Sequence, residues 1–516
     1  MRTICLYFQI HQPFRLKRYR FFNIGNDHYY YDDYLNESII SRVAERSFLQ
    51  ANKVIGQIIK EFGTQFKVAF SISGTALDQL ELYAPEVIES FQKLAKTGSV
   101  EFLSETYSHS LVSLKNKEEF FRQVTEHKAK IKQLFNQEPR VFRNAELVYS
   151  DRIGADVAEM GFTAMLTEGA KHVLGWKSPN YMYCNSVNPR LKVLLRNFRI
   201  SDDIAFRFSN TGWSEYPLTA DKFAGWLKKI DKKEETVNLF IDYETFGEHQ
   251  WMESGIFEFL KALPKAVYKL TNFTFSTPTE IADQLLPIST ISVPYPISWA
   301  DEERDLTAWL GNELQVDAFN RLYSITDKVR RCNDDKIQKD WKYLQSSDHF
   351  YFMSTKFFTA GATQAYFNPY ETPYDAYINY MNVLSDFILR VNAMVPESTS
   401  DQDIAGLTQV ITEKDELIQK YESELKRLKS TKSKISAVAT AKIPSKTAPS
   451  KISTGTVTSN AAEATGKTAV VSKKSEVVSP KTSKSVSKKP GKAVAAKSEK
   501  PVKKTGKPAA AKVSKP

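Results

Sequence analysis

The sequence of 516 residues is poor in cysteine and contains no CxxC spacing. Its three cysteines, Cys5, Cys184 and Cys332, are an odd number in a long chain, which argues against a disulfide scaffold or a zinc ribbon and favours a reducing compartment. The first residues lack a basic segment followed by a long apolar run, so we predict no signal peptide. No apolar stretch approaches the roughly 20 residues of a membrane helix. We therefore expect a cytoplasmic protein without membrane contact.

Metal and nucleotide motifs are also missing. No two of the seven histidines lie four residues apart, which excludes HExxH and HxxxH pairs. The sequence contains neither GxxxxGK[ST] nor GxGxxG, the glycine-rich loops that hold phosphates. We accordingly expect no metal site and no cofactor.

Acidic residues are scarce in one part of the chain only. Residues 431–516 contain twenty lysines, three glutamates and no aromatic residue, a local net charge of +17. Because the whole chain has a net charge of +11, the first 430 residues carry −6, together with all 32 Phe, 24 Tyr and 7 Trp. Such a tail cannot bury enough apolar area to offset its ordering entropy, so we predict that 431–516 is disordered. The overall positive charge says nothing about the partner of the aromatic-rich part.

Short β-rich runs alternate with helical periodicity over residues 1–285. The predicted strands are 3–11, 66–73, 99–104, 140–146, 162–167, 191–196, 237–244 and 273–277. Amphipathic helices are predicted between them, for example at 41–62 and 116–135. Repeated strand–helix–strand units imply a parallel sheet, and seven or eight strands favour a closed barrel. Polar groups at the carboxyl ends of such strands build active sites.

After residue 285 the pattern becomes mainly helical. Helices are predicted at 309–329, 337–356 and 374–395, within a helical domain spanning 286–396. Residues 401–430 then show a heptad array. Eight positions from 404 to 428 follow one another at alternating spacings of three and four residues, and seven of these eight are apolar or aromatic. This array favours a short coiled coil that could pair chains into an oligomer. An amphipathic helix docked on its own domain explains the same pattern equally well.

Two carboxylates end predicted strands, Glu146 and Asp242. A pair at neighbouring barrel strands can flank a glycosidic bond, with one group ionised to attack and the other protonated to assist the leaving oxygen. Carboxyl groups about 5–5.5 Å apart give retention of configuration, and about 6.5–9.5 Å gives inversion. From their spacing alone, capping of a following helix or pairing with Arg143 explains both acids better than catalysis does.

Histidines and tryptophans accompany these polar clusters. His11, His109 and His249 lie near strand ends, and each could be an ordinary hydrogen-bonded structural histidine. Trp251 and Trp299 stand beside charged residues, where an indole ring could pack on the flat face of a sugar. Core packing explains each of these tryptophans as well.

Five separated segments together resemble glycoside hydrolase family 57, within its α-amylase-like group. They are IHQPFRL (10–16), GSVEFLSETYSHSL (98–111), VFRNAELVYSD (141–151), FIDYETFGEHQW (240–251) and SWADEERDLTAWLGNELQ (298–315), and LQSSDHFYFMSTK (344–356) is similar too. The resemblance covers about residues 1–395. It implies a distorted (β/α)7 barrel followed by a mainly helical domain that closes the cleft, then a disordered basic tail.

The resemblance also implies roles for individual residues. Glu146 would be the nucleophile and Asp242 the general acid/base of a retaining mechanism. Glucan-contacting residues would be His11, Glu101, His109, His249, Trp251, Trp299 and Asp348. Ala145 departs from the expected pattern, because a hydroxyl residue would be expected before the nucleophile.

The function expected from this resemblance is hydrolysis of α-1,4-glucans such as glycogen, starch or maltodextrin. A 4-α-glucanotransferase or a branching-type transferase would use the same carboxylates with a sugar hydroxyl as acceptor. A different class of explanation is a catalytically weak glucan-binding protein. In either case the 431–516 tail could bind a polyanion, such as nucleic acid or polyphosphate, by counterion release.

Overall fold

The computed structural model describes residues 2–356 and 367–395, together with Lys414. All of these residues belong to one compact unit. The predicted disordered tail at 431–516 lies outside the described residues, and so does the heptad array at 401–430 apart from Lys414.

The strands form two five-stranded sheets. In chain order they are β1 Arg2–Ile10, β2 Val68–Ile72, β3 Val100–Phe102, β4 Val141–Arg143, β5 Ala164–Glu168, β6 Tyr183–Asn185, β7 Lys192–Arg196, β8 Thr236–Asp242, β9 Phe273–Phe275 and β10 Ser289–Ile291. All eight predicted strands are confirmed, whereas β6 and β10 were not predicted. Every residue of β1 is buried, as in a parallel strand that is covered on both faces.

The first sheet has the order β3-β2-β1-β8, with β9 also on β1, and the second has the order β10-β6-β7-β5-β4. Pairing is parallel throughout except between β6 and β7. In the central register, Tyr7 of β1 lies opposite Ala69 of β2 and Phe240 of β8. The observed fold is therefore α/β with mainly parallel sheets.

The expectation of a closed barrel is wrong for the strands within residues 2–356. Between β3 and β4, Ser104 forms an isolated bridge with Phe142 just past the end of β3. Between β7 and β8, the Asn197 amide donates to the Asn238 carbonyl at 2.9 Å, and the Asn238 side chain donates to the Leu195 carbonyl at 2.8 Å. At neither junction does a continuous ladder join the two sheets among the described strands.

Helices cover the sheets and form the later part of the unit. Those before β10 are Asp33–Val43, Leu49–Phe62, Gly74–Tyr83, Pro85–Ala95, Lys117–Phe135, Asp151–Glu159, Lys171–Leu174, Phe198–Ala205, Ala220–Lys229, Ile256–Leu270 and Pro278–Gln284. Those after it are Thr307–Leu310, Glu313–Tyr323, Thr326–Arg330, Asp335–Leu344, Ser347–Tyr351 and Pro373–Met394. No helix in the described part of the chain combines the length and apolarity needed to cross a membrane.

Several predicted helices differ in their limits. The helix expected at 41–62 begins earlier and contains a π-helical turn at Ala44–Phe48. The helix expected at 309–329 is divided into three, and 337–356 contains two. The helices expected at 116–135 and 374–395 are confirmed within one residue at each end.

One apolar core joins the later helices to the second sheet. Val391 in the helix Pro373–Met394, Trp341 in Asp335–Leu344 and Phe142 in β4 belong to the same buried cluster. The helical segment therefore packs directly against the strands whose carboxyl ends carry the polar residues considered next. The predicted domain boundary at 285/286 stays a prediction.

Candidate active site

The main cleft lies at the carboxyl ends of β1, β4 and β8. It measures about 580 Å³ including its open mouth and combines charged, amide and aromatic side chains. The lining residues are Gln9, His11, Gln12, Pro13, Arg15, His109, Arg143, Glu146, Asp242, Glu244, His249, Trp299, Asp348 and Phe367. The two predicted catalytic carboxylates thus share one cleft with five of the seven predicted glucan-contacting residues.

Glu146 follows β4 in the short 3₁₀ turn Ala145–Leu147. Its φ is 55° and that of Leu147 is 52°, both in the left-handed region that favours glycine. Such backbone conformations cost about 1–3 kcal/mol each and concentrate at functional sites. Two donors fix the carboxylate: Ser347 Oγ donates to Oε1 and Trp299 Nε1 donates to Oε2, both at 2.8 Å.

The surroundings of Glu146 favour its ionised form. Burial alone would raise the pKa of Glu146, but the imidazole of His109 and the guanidinium of Arg143 outweigh burial and lower it. His109 Nε2 lies 3.6 Å from Glu146 Oε1. A carboxylate that stays ionised and is held by two donors is suited to act as a nucleophile.

Asp242 is the last residue of β8 and has the opposite electrostatic character. Burial raises the pKa of Asp242, and the negative charge of Glu146 adds to this effect, while Arg143 and Arg196 act against it. Within the described residues, its carboxylate has no hydrogen-bond partner. A carboxyl group with a raised pKa and open oxygens is suited to donate a proton to a bound substrate.

His109 connects a second buried carboxylate to Glu146. Its Nδ1 lies 2.7 Å from Glu105 Oε2, on the opposite side of the ring from Glu146. Burial alone would lower the pKa of His109, but the charge and hydrogen bond of Glu105, with help from Glu146, raise it to about 9. Burial alone would raise the pKa of Glu105, but the charge and hydrogen bond of His109 outweigh burial and lower this pKa to about 2. The pair is therefore an imidazolium–carboxylate pair at neutral pH.

The ring of His11 stacks on the ring of His109, and His11 also contacts the helical part of the chain. Its Nε2 is 2.8 Å from Asp348 Oδ2, and its Nδ1 is 2.7 Å from Ser73 Oγ. Asp348 belongs to the short helix Ser347–Tyr351, whose first residue also holds Glu146. The short helix Ser347–Tyr351, which lies outside the sheets, thus contributes two side chains to the candidate active site.

The glycosyl hydrolase family 57 model matches residues 5–294, which include both candidate catalytic carboxylates. A protein of Methanocaldococcus jannaschii named "Putative alpha-amylase" is 41% identical over 409 residues, covering 77% of this chain and 86% of that protein. The chain belongs to glycosyl hydrolase family 57. It is accordingly a glycoside hydrolase.

Solved structures share the fold of this chain. The branching enzyme of Thermococcus kodakaraensis aligns with a TM-score of 0.54 at 12% identity, over 77% of this chain and 92% of that one. The 4-alpha-glucanotransferase of Thermococcus litoralis aligns with a TM-score of 0.50 at 16% identity, over 68% of this chain. This chain spans 56% of the glucanotransferase's length.

Two predicted glucan-contacting residues lie apart from the main cleft. Glu101, in the middle of β3, accepts hydrogen bonds from the backbone amide and the hydroxyl of Thr279. Its carboxylate therefore binds the first turn of the helix Pro278–Gln284 and is not presented to a ligand. Trp251 is 65% exposed and does not line the cleft. The structure therefore does not bring these two residues to Glu146 and Asp242.

Other residues of the family 57 cleft were not among the predicted site residues. Gln9, Gln12, Arg15 and Glu244 line it, and Glu105 supports it through His109. Four of these five lie within segments that carried the resemblance, two of them in IHQPFRL alone. Their position in those segments was the only signal in the sequence that could have identified these residues. Their residue types do not distinguish them from ordinary polar residues.

Among residues 2–356 and 367–395, no group of three His, Cys, Asp or Glu side chains is arranged to hold a metal ion.

Proposed function

We propose that this protein is a retaining hydrolase of α-1,4-linked glucans, in which Glu146 is the nucleophile and Asp242 the general acid/base. The observation that carries the proposal is the contrast between two carboxyl groups of one cleft. The pKa of Glu146 is lowered by His109 and Arg143 against burial, whereas burial raises the pKa of Asp242. A double displacement needs this pair of protonation states at one pH.

In the first step, Glu146 attacks the anomeric carbon as the glycosidic C–O bond breaks, and Asp242 gives its proton to the departing oxygen. This produces a glycosyl ester on Glu146 and leaves Asp242 ionised. In the second step, Asp242 takes a proton from water, whose oxygen attacks the anomeric carbon and releases Glu146. Two inversions give net retention, and the enzyme returns to its initial protonation state.

The choice of an α-glucan rests on the resemblance and on the chemistry of the cleft. The Methanocaldococcus jannaschii relative named as an alpha-amylase matches over most of its length. Trp299 offers an indole ring beside the nucleophile, while Arg15 and Asp348 offer charged hydrogen-bonding groups. A polyhydroxylated sugar with apolar C–H faces suits this combination.

We also propose that the two sheets act as the halves of a distorted seven-stranded barrel. The seven strands would be β3, β2, β1 and β8 from one sheet and β7, β5 and β4 from the other. The hydrogen bonds at Ser104 and Asn238 lie where the halves approach each other. This arrangement gathers His11, Glu146 and Asp242 at one end, as the proposed reaction requires.

The decisive experiment is product analysis with maltoheptaose and glycogen. We expect shorter maltooligosaccharides from hydrolysis. Oligosaccharides longer than the substrate would instead identify the transferase, and glycogen binding without products would identify a non-catalytic glucan-binding protein.

Two variants assign the carboxylates separately. Glu146→Gln is expected to lose at least about 1000-fold in kcat with the fold intact. Asp242→Asn should fail on maltoheptaose but still form the glycosyl enzyme from α-maltosyl fluoride, since fluoride leaves without a proton. Equal loss on both substrates for Asp242→Asn, or turnover by Glu146→Gln, would contradict the assignment.

The three cysteines are free and buried, and this supports our proposal of a cytoplasmic location. For the basic segment 431–516 we propose contact with a polyanion, on the basis of its net charge of +17. A truncation after Leu428 should lose retention on immobilised DNA, and about 0.5 M salt should release the full chain. The mass of the truncated and full chains in solution would also show whether 404–428 makes an oligomer.

A further inference from the structure

A second large depression lies beside the main cleft. We call it the indole groove and define it by Phe198, Arg199, Asp203, Trp213, Trp226 and Lys229. It measures about 1850 Å³ including its open mouth, compared with about 580 Å³ for the main cleft by the same measure. Its enclosed part, about 970 Å³, lies at the upper end of the range of about 300–1,000 Å³ that is usual for small-molecule pockets. The groove is therefore large enough for an extended ligand.

Two indoles form its apolar part. The rings of Trp213 and Trp226 lie 6.0 Å apart at 70°, and the ring of Phe223 lies 6.0 Å from that of Trp226. Both tryptophans are half-buried and pack against the core, so part of each side chain stays accessible to solvent. Within the described residues, neither indole N–H has a hydrogen-bond acceptor, although the other half-buried indole, that of Trp299, donates to Glu146.

The polar part of the groove carries both donors and acceptors. Arg199 and Lys229 are exposed and, within the described residues, make no hydrogen bond with their side chains. Asp203 is buried and bound by Arg207 at 2.5 Å. Because the groups are of both signs and surround two aromatic faces, the lining suits an uncharged polyhydroxylated ligand better than a simple anion.

The groove is placed next to the reacting groups. Ala205 and Phe206, at the end of the helix Phe198–Ala205, line the small pocket that contains Asp242. Asp203, two residues before Ala205, and Arg207, directly after Phe206, line the indole groove. Gln250 holds this end of the helix, since its amide donates to the Ala205 carbonyl at 2.7 Å and accepts from Ser209 Oγ at 2.6 Å.

We propose that the indole groove is a second α-glucan-binding site, which holds a chain of a polymeric substrate outside the main cleft. This rests on the proposed α-glucan substrate for the choice of ligand. A branched or long glucan can occupy the groove and the main cleft at once, and joining two weak sites raises the overall affinity. A short oligosaccharide can occupy only one of them.

The test measures glucan binding without turnover. Full-length Glu146→Gln protein would be run in native gels containing glycogen, alone and combined with Trp226→Ala, Arg199→Ala or Trp176→Ala. Trp176 is 93% exposed and does not line the groove, so it is the matched control. We expect about a tenfold loss of glycogen affinity for Trp226→Ala, a smaller loss for Arg199→Ala, and none for the control.

A second readout separates the two sites. In the otherwise unchanged enzyme, Trp226→Ala should lower kcat/KM on glycogen but leave kcat/KM on maltotriose within about twofold of its original value. Arg199→Ala gives the same comparison with an exposed residue, should Trp226→Ala not fold. Unchanged glycogen affinity in both folded variants would overturn the proposal. The proposal would also be overturned if the protein bound polyphosphate more tightly than glycogen and only Arg199→Ala, not Trp226→Ala, lost that polyphosphate binding. Such a result would assign the groove to anions.

The proposed function and the groove fail in different ways. If the protein turns over no glucan, glycogen binding that depends on Trp226 still supports the groove. If the protein hydrolyses glycogen and maltotriose but Trp226→Ala changes neither binding nor relative rates, the groove proposal fails while the proposed function stands.

Discussion

The imidazole rings of His11 and His109 are stacked, with centroids 3.9 Å apart and planes inclined by 15°. Burial lowers the pKa of His11, and the charge of His109 lowers it further, despite the opposing effect of Asp348. The pKa of His109 is instead raised to about 9, because Glu105 and Glu146 outweigh burial. A neutral ring thus covers a charged one, which leaves the positive charge of His109 directed at its two carboxylates.

This arrangement predicts a role for His109 in holding Glu146 ionised. Replacing His109 with Gln removes the positive charge that lowers the pKa of Glu146, so that pKa rises. Glu146 must be ionised to attack, and the acid limb of the kcat/KM profile should therefore move to higher pH. Loss of position should also lower kcat by about 10- to 100-fold.

The control for that variant is His172→Asn, which replaces an exposed histidine that does not line the main cleft. It should keep both the rate and the pH profile of the unchanged enzyme. A His109→Gln profile whose acid limb stays in place, even with a lower kcat, would show that the His109 charge does not act on Glu146.

The same residue predicts how stability depends on pH. The pKa of His109 is about 9 in the folded protein and 6.5 ordinarily. A group whose pKa is raised by folding contributes its full stabilisation below the lower value and loses it as pH rises to the higher one. The free energy of unfolding of the unchanged protein, minus that of His109→Gln, should fall by about 3 kcal/mol between pH 6.5 and 9. Urea titrations at three pH values would measure it, and a difference independent of pH would contradict it.

The two donors to Glu146 give a further prediction. Trp299→Phe removes the donor to Oε2 while keeping an aromatic ring, and Ser347→Ala removes the donor to Oε1. Each should lower kcat by about 10- to 100-fold with little change in KM, because the nucleophile loses its orientation. The double variant should lose less than the product of the two effects, since both bonds fix one carboxylate.

Thr279→Ala is the matched control for these variants. It removes a hydroxyl that donates to a carboxylate of similar type, that of Glu101, outside the main cleft. Its kcat should be unchanged. Loss of activity in Thr279→Ala would show that the effects arise from stability rather than from the position of Glu146. Strictly multiplicative losses in the double variant would show that the two donors act independently.

The strands could be predicted from the sequence because their signal is local. β1 and β8 are long apolar runs that are buried along almost their whole length, and each is recognised without its neighbours. β6 and β10 are three residues long and include Asn185 and Ser289, so they carry no such signal. Their pairing is set by the surrounding chain, which also decides whether two sheets close into a barrel.

The site shows the same limit at the level of single side chains. Glu101 and Glu105 are four residues apart in one segment, and the sequence does not say which of them faces the cleft. Glu101 lies within β3, where strand geometry fixes its direction towards Thr279, whereas Glu105 lies beyond the strand and turns to His109. Trp299 reaches Glu146 across 153 positions, a contact that no local pattern contains.

Glu244 supplies the last prediction, from its position beside Asp242. Burial raises the pKa of Glu244 to about 8, and the charge of Asp242 adds to this effect when Asp242 is ionised. Its carboxyl group is therefore neutral at pH 7, where it accepts a hydrogen bond from Gln12 at 3.3 Å. Glutamine has nearly the same shape and is neutral at every pH. Glu244→Gln should therefore keep kcat/KM within about threefold at pH 6–7 and leave the limb assigned to Asp242 in place.

The pH dependence of stability gives an independent measure of the protonation state of Glu244. A carboxyl group whose pKa is raised from 4.5 to about 8 on folding destabilises the folded protein progressively as pH rises through that interval. The free energy of unfolding of Glu244→Gln, relative to the unchanged protein, should therefore increase from pH 5 to pH 8 and then level off. If Glu244 were ionised at neutral pH, its replacement would instead remove a negative charge beside Asp242, and the alkaline limb of kcat/KM would move to lower pH. A lowered alkaline limb combined with a relative stability that does not change with pH would show that Glu244 is charged in the folded enzyme.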